Sequence, residues 1–149
     1  MKLLKWLSVA DRYAKTYLDS RLAPYGINSS QHMYLIKICN NPGISQDALV
    51  ASFYVHPSNV IRMIASLEHK GFLTRKENEK DKRTCNLFAT EKAISILPQI
   101  IKACDDTEAI LTRLLSDEEK DGFECAVLQA GKEIAKEIGI ERIGDEFDE

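Results

Sequence analysis

The stretch that decides the fold is "SNVIRMIASLEHKGFLTRKENEKDKRTCNLFAT", residues 58–90. Its first part repeats apolar residues at helical steps and stops at Gly71, a residue type that favours the end of a helix. Its second part has two segments typical of strands, 72–76 and 84–89, separated by the charged loop 77–83. A two-stranded ribbon is too small to fold alone, so we expect it to pack on the helices before it.

At 100° per residue, the predicted helix over 57–70 has two distinct faces. One face is apolar and is expected to lie in the core: Val60, Met63, Ile64 and Leu67. The other carries short, polar or basic side chains: Ser58, Arg62, Ala65, Ser66 and His69. A helix that enters the major groove of DNA needs such a face, because it must approach base edges without repelling phosphate. The alternative is an ordinary amphipathic helix with a short-chained surface.

A shorter helix is predicted just before this one, within 44–55. Ser45 is a plausible cap, and the inward-facing positions are Leu49 and Phe53. Pro57 then suits the first turn of the next helix, where its missing N–H costs nothing. The order helix, turn, helix and ribbon favours a DNA-binding lobe over a solvated surface.

The charged loop between the strands contains the segment "EKDKR", residues 79–83. A basic ribbon beside a groove-binding helix reaches the flanking backbone or the minor groove of the duplex. Arg83 is best placed to enter a narrow minor groove. Asp81 would repel DNA unless its carboxylate holds the guanidinium of Arg83 in position. The alternative is a solvated surface loop.

Helical spacing also marks the N-terminal part of the chain, at 1–22. Charged residues interrupt its apolar character, so we interpret it as the first helix of a cytoplasmic protein rather than a signal peptide. A further helix is predicted to be capped by Asn28, with Gln31 three residues on, and to stop at 40–43.

Beyond Thr90 the apolar residues return to helical steps. Pro98 lies inside this run and is expected to kink the helix or break it. Ser116 and Glu119 form a predicted capping box for a last helix. One face of that helix carries Phe123, Val127, Ala130, Ile134 and Ile138.

The charge of the 149-residue chain is unevenly distributed, although its net value is −3. Residues 56–83 contain seven Lys or Arg and four acids, whereas residues 137–149 contain six acids and one Arg. A basic patch can bind DNA on an acidic protein, because electrostatic fields are local and screened over ~10 Å. No stretch approaches the ~20 apolar residues of a membrane span.

The sequence contains no pattern typical of a metal centre or an enzyme. Its four cysteines have no CxxC spacing and are interpreted as free thiols: Cys39, Cys85, Cys104 and Cys125. The histidines form no zinc-ligand pairs with them: His32, His56 and His69. We find no nucleophile with a nearby base and no phosphate-binding loop. We therefore expect no cofactor, no metal and no catalytic activity.

Three motifs in order resemble the MarR (multiple-antibiotic-resistance regulator) family of bacterial winged-helix transcription factors. The Leu-Glu-x-x-Gly motif that closes the family's recognition helix is present as Leu67, Glu68 and Gly71. The Asp-x-Arg pair of the wing is present as Asp81 and Arg83. The Leu-Thr-x-x-Gly start of the next helix reads "ATEKA", in which Thr90 and Lys92 match while Ala89 and Ala93 depart.

The resemblance implies a mainly α fold with a small β-wing. A winged helix-turn-helix lobe would span 28–89, dimerisation helices would span 1–22 and 90–137, and 138–149 would be an acidic tail. It also implies a homodimer that binds a pseudo-palindromic site in double-stranded DNA, most often as a repressor. The apolar stripes at both chain ends favour the dimer independently, since a C₂ interface would bury them. The alternative is that they close on their own domain.

The resemblance further assigns DNA contacts. Those from the recognition helix would be Pro57, Ser58, Asn59 and Arg62, with Arg83 in the wing. Ser45 and Gln46 would touch phosphate from the preceding helix, and Lys80 and Lys82 are added on charge alone.

Many relatives respond to small aromatic ligands in a crevice between the dimer helices and the winged lobe. Here such a crevice would be lined by Trp6, Tyr13, Tyr17, Met33 and Tyr34, although simple core packing is the alternative for each. Two other functions stay open: a regulator that responds through cysteine oxidation, and a winged-helix module that binds protein instead of DNA.

Overall fold

The computed structural model describes residues 2–140, which form a mainly helical protein with one small antiparallel sheet. In chain order the elements are α1 (Lys2–Leu22), α2 (His32–Asn40), β1 (Ile44–Ser45), α3 (Gln46–Ala51), α4 (Pro57–His69), β2 (Leu73–Glu77), β3 (Cys85–Ala89), α5 (Glu91–Leu111) and α6 (Asp117–Glu137). The predicted fold class is confirmed. Most of the predicted acidic tail, from residue 141 on, lies outside the described residues.

Helices α2 to α4 and the sheet enclose the core of a winged helix-turn-helix lobe. On α4, the predicted apolar face is confirmed, with Met63 half-buried and three residues fully buried: Val60, Ile64 and Leu67. The predicted opposite face is wrong for Ser66. Its hydroxyl lies 2.8 Å from Nε2 of Gln31 and is half-buried, because α2 begins directly beside it.

The sheet has the order β1–β3–β2, and both of its pairings are antiparallel. Strands β2 and β3 are the predicted ribbon and pair from Leu73–Ala89 to Glu77–Cys85. Strand β1 was not predicted, since two residues are too few to show alternation. Its pairing of Ile44 with Leu87 attaches the middle of β3 to the segment between α2 and α3.

Local signals set the ends of α3 and α4 as predicted. Ser45 caps α3 by accepting a hydrogen bond from the N–H of Ala48 at 3.1 Å. Helix α4 ends before Gly71, whose φ of 77° lies in the left-handed region that other residues rarely adopt. The N–H of Phe72 then bonds to the carbonyl of Leu67 and closes the last turn.

Two predicted boundaries differ from the structure. Asn28 accepts from the N–H of Ser30 and caps a turn, but α2 itself begins only at His32. Gln31 makes no capping box, because its side chain is buried against α4 instead. Helix α5 runs through Pro98 without ending there, which excludes the predicted break and leaves a kink as the other predicted outcome.

The outer helices leave most of their apolar residues unburied. Only Leu18 and Leu22 are buried on α1, and only Ala135 is buried on α6, although each helix has 21 residues. The predicted α6 stripe begins at the capping box of Ser116 and Glu119, and in the single chain this stripe is exposed. None of the helices over 2–140 combines the length and the apolar character that crossing a lipid bilayer requires.

Candidate nucleic-acid interface

The start of α4 is fixed by a histidine that sequence reasoning missed. His56 is the N-cap: its Nδ1 accepts a hydrogen bond from the N–H of Ser58 at 3.2 Å and lies 2.7 Å from the Ser58 hydroxyl. Pro57 occupies the first turn, as predicted. Its position could have indicated this role, because His56 directly precedes a proline that starts a helix. All three side chains are exposed at the same end of α4.

Arg62 is exposed one turn further along α4. Its Nη2 donates a hydrogen bond to Oδ1 of Asn59, which lies three residues earlier. The guanidinium is therefore partly ordered before any ligand arrives, and its remaining donors are suited to the paired acceptors of a guanine edge.

Asp81 and Arg83 form the predicted ion pair at the tip of the ribbon. Oδ1 of Asp81 accepts from the backbone N–H of Arg83 at 3.0 Å and from its Nε at 3.1 Å, while Oδ2 lies 3.3 Å from Nη2. The guanidinium bonds, and then the backbone bond, lower the pKa of the Asp81 carboxyl. The Arg83 side chain is still 92% exposed, so it is held in place and accessible at once.

The turn between the strands is ordered by Asn78. Its Oδ1 accepts from the N–H groups of Lys80 and Asp81, and its Nδ2 donates to Asn86 on β3. Lys80 and Lys82 are exposed on either side of Asp81. The tip therefore presents three cations, Lys80, Lys82 and Arg83, beside two acids, of which Asp81 is paired with Arg83 and Glu79 is exposed.

Arg75 on β2 joins the ribbon to two helices, and sequence reasoning gave it no role. Its Nε lies 2.8 Å from Oε2 of Glu68 on α4, and its Nη1 lies 3.2 Å from Oε1 of Gln46 on α3. The two predicted phosphate contacts at the start of α3 therefore already have internal partners. The side chain of Gln46 accepts from Arg75, and the side chain of Ser45 caps α3. Both residues are half-buried. Only the spatial neighbours of Arg75, not its sequence position, reveal this link.

A polar cluster on the far side of α4 joins it to the rest of the lobe. Gln31 is 3% exposed and donates to Ser66, while Nζ of Lys70 donates to Oε1 of Gln31 and to the Gly26 carbonyl. This cluster fixes the end of α4 against the segment that leads out of α1. The exposed face of α4 therefore has a defined orientation in the lobe.

The residues predicted for a ligand crevice do not share one environment. Trp6, Tyr13 and Tyr17 recur at steps of seven and four and share one face of α1, on which Trp6 is 60% exposed. Met33 is exposed on α2. Tyr34 is buried in the core, with its ring 4.5 Å from that of Phe53, and burial raises its pKa.

The described thiols are free, and the surroundings of two of them raise the pKa. Burial raises the pKa of Cys39 on α2 and of Cys104 on α5, and acidic neighbours raise it further at Cys104. A higher pKa lowers the fraction of reactive thiolate at neutral pH. Across residues 2–140, histidine, cysteine and acidic side chains form no group placed to hold a metal ion.

Comparison with known proteins agrees with this geometry. The model of the MarR family matches residues 27–85, which cover the helix-turn-helix and reach the second ribbon strand. The HTH-type transcriptional regulator BilQ of Clostridium symbiosum is 30% identical over 110 residues, covering 72% of this chain and 75% of BilQ. The uncharacterized HTH-type transcriptional regulator YybA of Bacillus subtilis is 26% identical over 122 residues, covering 82% of this chain and 81% of YybA.

A solved structure extends the likeness to nearly the whole chain. It is a putative MarR family transcriptional regulator from Listeria monocytogenes complexed with 26mer DNA. The two are 25% identical with a TM-score of 0.80, and the match covers 95% of this chain and 97% of that one. The chain therefore belongs to the MarR family, and it is a winged-helix transcriptional regulator rather than an enzyme.

Proposed function

We propose that this protein binds a pseudo-palindromic DNA operator as a homodimer and represses transcription. One observation carries the proposal: Arg83 is 92% exposed at the ribbon tip while Asp81 holds its guanidinium in place. An exposed, ordered cation at the end of a β-ribbon matches the requirements of a narrow, negatively charged minor groove.

The recognition helix supplies the second contact of each half-site. Its N-terminal face would enter the major groove through the exposed Pro57, Ser58 and Arg62 and the half-buried Asn59. Lys80 and Lys82 would contact phosphate, as would Ser45 and Gln46 at the start of α3. Because the side chains of Ser45 and Gln46 already have internal partners, we expect their share of the affinity to be smaller.

Homodimerisation is proposed from the unburied apolar residues of the outer helices. They lie on α1, α5 and α6 and on the segment that joins the last two helices: Leu3, Leu4, Trp6, Leu7, Ile94, Ile101, Leu114, Phe123, Val127, Ile134 and Ile138. A monomer with this surface would expose an apolar area that soluble proteins normally cover. A C₂ interface built from helices 1–22 and 90–137 would cover it and set the two lobes side by side.

Release by a small aromatic ligand is proposed as the regulatory input, with the regulator acting in the cytoplasm. The aromatic face of α1 and the exposed Met33 support a site near the dimer helices, whereas the buried Tyr34 would form its floor at most. A thermal-shift screen of small aromatic acids, followed by DNA release at the same concentrations, tests this input separately from DNA binding.

The DNA-binding proposal is tested by fluorescence anisotropy on duplexes from the protein's own upstream region, at several salt concentrations. Specific binding should weaken steeply with salt, as expected for phosphate neutralisation. Arg83→Ala should reduce the slope of log K against log salt by about two units per dimer, one for each protomer. Arg62→Ala should instead weaken binding mainly at the cognate sequence.

The Lys37→Ala variant, on α2, is the control for general loss of positive charge. A folded dimer that binds no upstream fragment would favour a module for protein binding. Unchanged affinity in both arginine variants would show that the contact residues are wrong.

A further inference from the structure

One apolar side chain, Ile61, lies among the residues proposed to contact DNA. Its side chain is 44% exposed. Viewed down the axis of α4, Ile61 is rotated by about 40° from Ala65, which lies one turn further along the helix. We propose that Ile61 contacts the C5-methyl group of a thymine in each operator half-site. The inference rests on the DNA binding proposed above and extends it to a specific base.

The fold does not need the exposed part of Ile61. The buried side of α4 is formed by Val60, Ile64 and Leu67, which have no exposed surface. Ile61 lies outside this group, and its neighbours on the exposed face are Ala65 and the charged Glu68. An exposed isoleucine in such a place is therefore a feature of the surface rather than of the core.

The proposed dimer surface does not account for Ile61 either. Among the exposed large apolar residues of the described chain, all but Met33 and Ile61 lie outside 28–89. Ile61 is the one on α4, and the proposed dimer helices are α1, α5 and α6. What covers Ile61 is therefore expected to be the ligand of α4 itself.

The chemistry of the major groove identifies that ligand. The edges of the bases there carry hydrogen-bonding groups, except for the methyl group of thymine. Arg62 is adjacent to Ile61 and is oriented by Asn59, so the same turn of helix offers a polar contact beside an apolar one. Duplex DNA suits this pairing, because the basic ribbon tip adds attraction for phosphate. The thymine is expected next to the base pair that Arg62 contacts.

Deoxyuridine provides a direct probe, since it differs from thymidine only by the missing methyl group. The operator is first obtained by selection from random duplex DNA, and each thymine is then replaced symmetrically in both half-sites. For the wild type, one symmetric replacement should weaken binding by roughly tenfold, about the value of two buried methyl groups. The other thymines, including those outside the footprint, should tolerate the change.

Variants at position 61 then assign the effect. Ile61→Ala should bind the thymine operator more weakly than the wild type and should lose its sensitivity to deoxyuridine at that one position. Ile61→Val, which keeps a branched side chain, should be intermediate. Circular dichroism and thermal unfolding check that both variants are folded.

The outcomes separate the inference from the function on which it rests. A wild type that selects no duplex would overturn the proposed function and this contact with it. Specific binding with the same deoxyuridine profile in the wild type and in Ile61→Ala would overturn the contact alone. Equal affinity of Ile61→Ala and the wild type for the thymine operator would also overturn the contact. That result would fit a protein partner for this surface.

Discussion

At the scale of single residues, the ribbon tip gives a reason for an acid in the proposed DNA-binding surface. Asp81 carries a charge that repels phosphate, yet its two oxygens hold Arg83 through three hydrogen bonds. A free arginine loses side-chain entropy when it binds, and a held arginine has lost part of it beforehand. The ordering effect and the charge effect therefore oppose each other, and substitutions can separate them.

Asp81→Asn is the informative substitution, because it removes a negative charge beside the DNA. If electrostatic repulsion dominated, affinity would rise; if positioning of Arg83 dominates, as we expect, affinity should fall several-fold. Glu79→Gln is the matched control, since Glu79 is also exposed in the same turn. That variant should bind DNA as well as the wild type or slightly better. Anisotropy titrations of the three proteins at one salt concentration distinguish the two effects.

His32 at the start of α2 should make stability depend on pH. Desolvation lowers its pKa from the usual 6.5, while the Ser29 carbonyl and Asp19 act in the opposite direction. The unfolded chain therefore takes up the proton first, so the free energy of unfolding should fall as pH drops below about 6.5. Its Nδ1 lies 2.8 Å from the Ser29 carbonyl oxygen, and His32→Asn offers an amide donor near this oxygen that does not titrate.

Urea denaturation between pH 7.5 and 5 checks this expectation. His32→Asn should lose less stability across the interval than the wild type does. Equal curves for the wild type and His32→Asn would mean that His32 does not contribute to the pH dependence.

At the scale of elements, local signals predicted the helices of the lobe better than its contacts. Pro57 and Gly71 mark the two ends of α4, because each acts through its own backbone geometry. Strand β1 and the bond between Gln31 and Ser66 could not be predicted in this way. Both depend on partners tens of residues away, and neither leaves a periodic trace in the sequence.

In the candidate site, too, local features could be predicted from the sequence and long-range contacts could not. The exposed face of α4 follows from helical periodicity, and the pair of Asp81 and Arg83 follows from spacing within one turn. Arg75 and its partners on α3 and α4 were missed, because the chain has to fold before they meet. The cap at His56 was also missed, since histidine is an uncommon cap.

The junction between α4 and α5 depends on Thr90. Its hydroxyl donates to the Gly71 carbonyl at 2.7 Å and accepts from the N–H of Ala93 at 3.4 Å, where it caps α5. Thr90→Ala should therefore lower the free energy of unfolding by about 1 to 2 kcal/mol. Thr90→Ser keeps the hydroxyl and should retain most of that stability. Urea titration of both variants checks the difference, and equal losses would contradict it.

At the scale of the whole molecule, the proposed dimer rests on the outer helices. The exposed stripe on α6 includes Val127 and Ile134, and that helix has only Ala135 buried. The double substitution Val127→Glu with Ile134→Glu should give a folded monomer. In a dimer, binding of one lobe holds the other close to its half-site, and separate monomers lose this advantage. Operator affinity should therefore drop by roughly 100-fold or more. Light scattering and anisotropy measure the two effects on the same samples.

The control for that experiment is the double substitution Val127→Ile with Ile134→Leu, which keeps both positions apolar. It should remain dimeric and bind DNA like the wild type. If the glutamate variant stays dimeric, the interface is formed without this stripe of α6.

The link made by Arg75 has a consequence for how such a regulator lets go of DNA. Because Arg75 links its strand to Glu68 and Gln46 on two helices, we expect the ribbon and the recognition helix to move together. In the proposed dimer, we therefore expect release of DNA to require more than retraction of the ribbon. A releasing signal would change the distance or the angle between the two lobes, so operators that differ only in half-site spacing should be the ones most sharply discriminated.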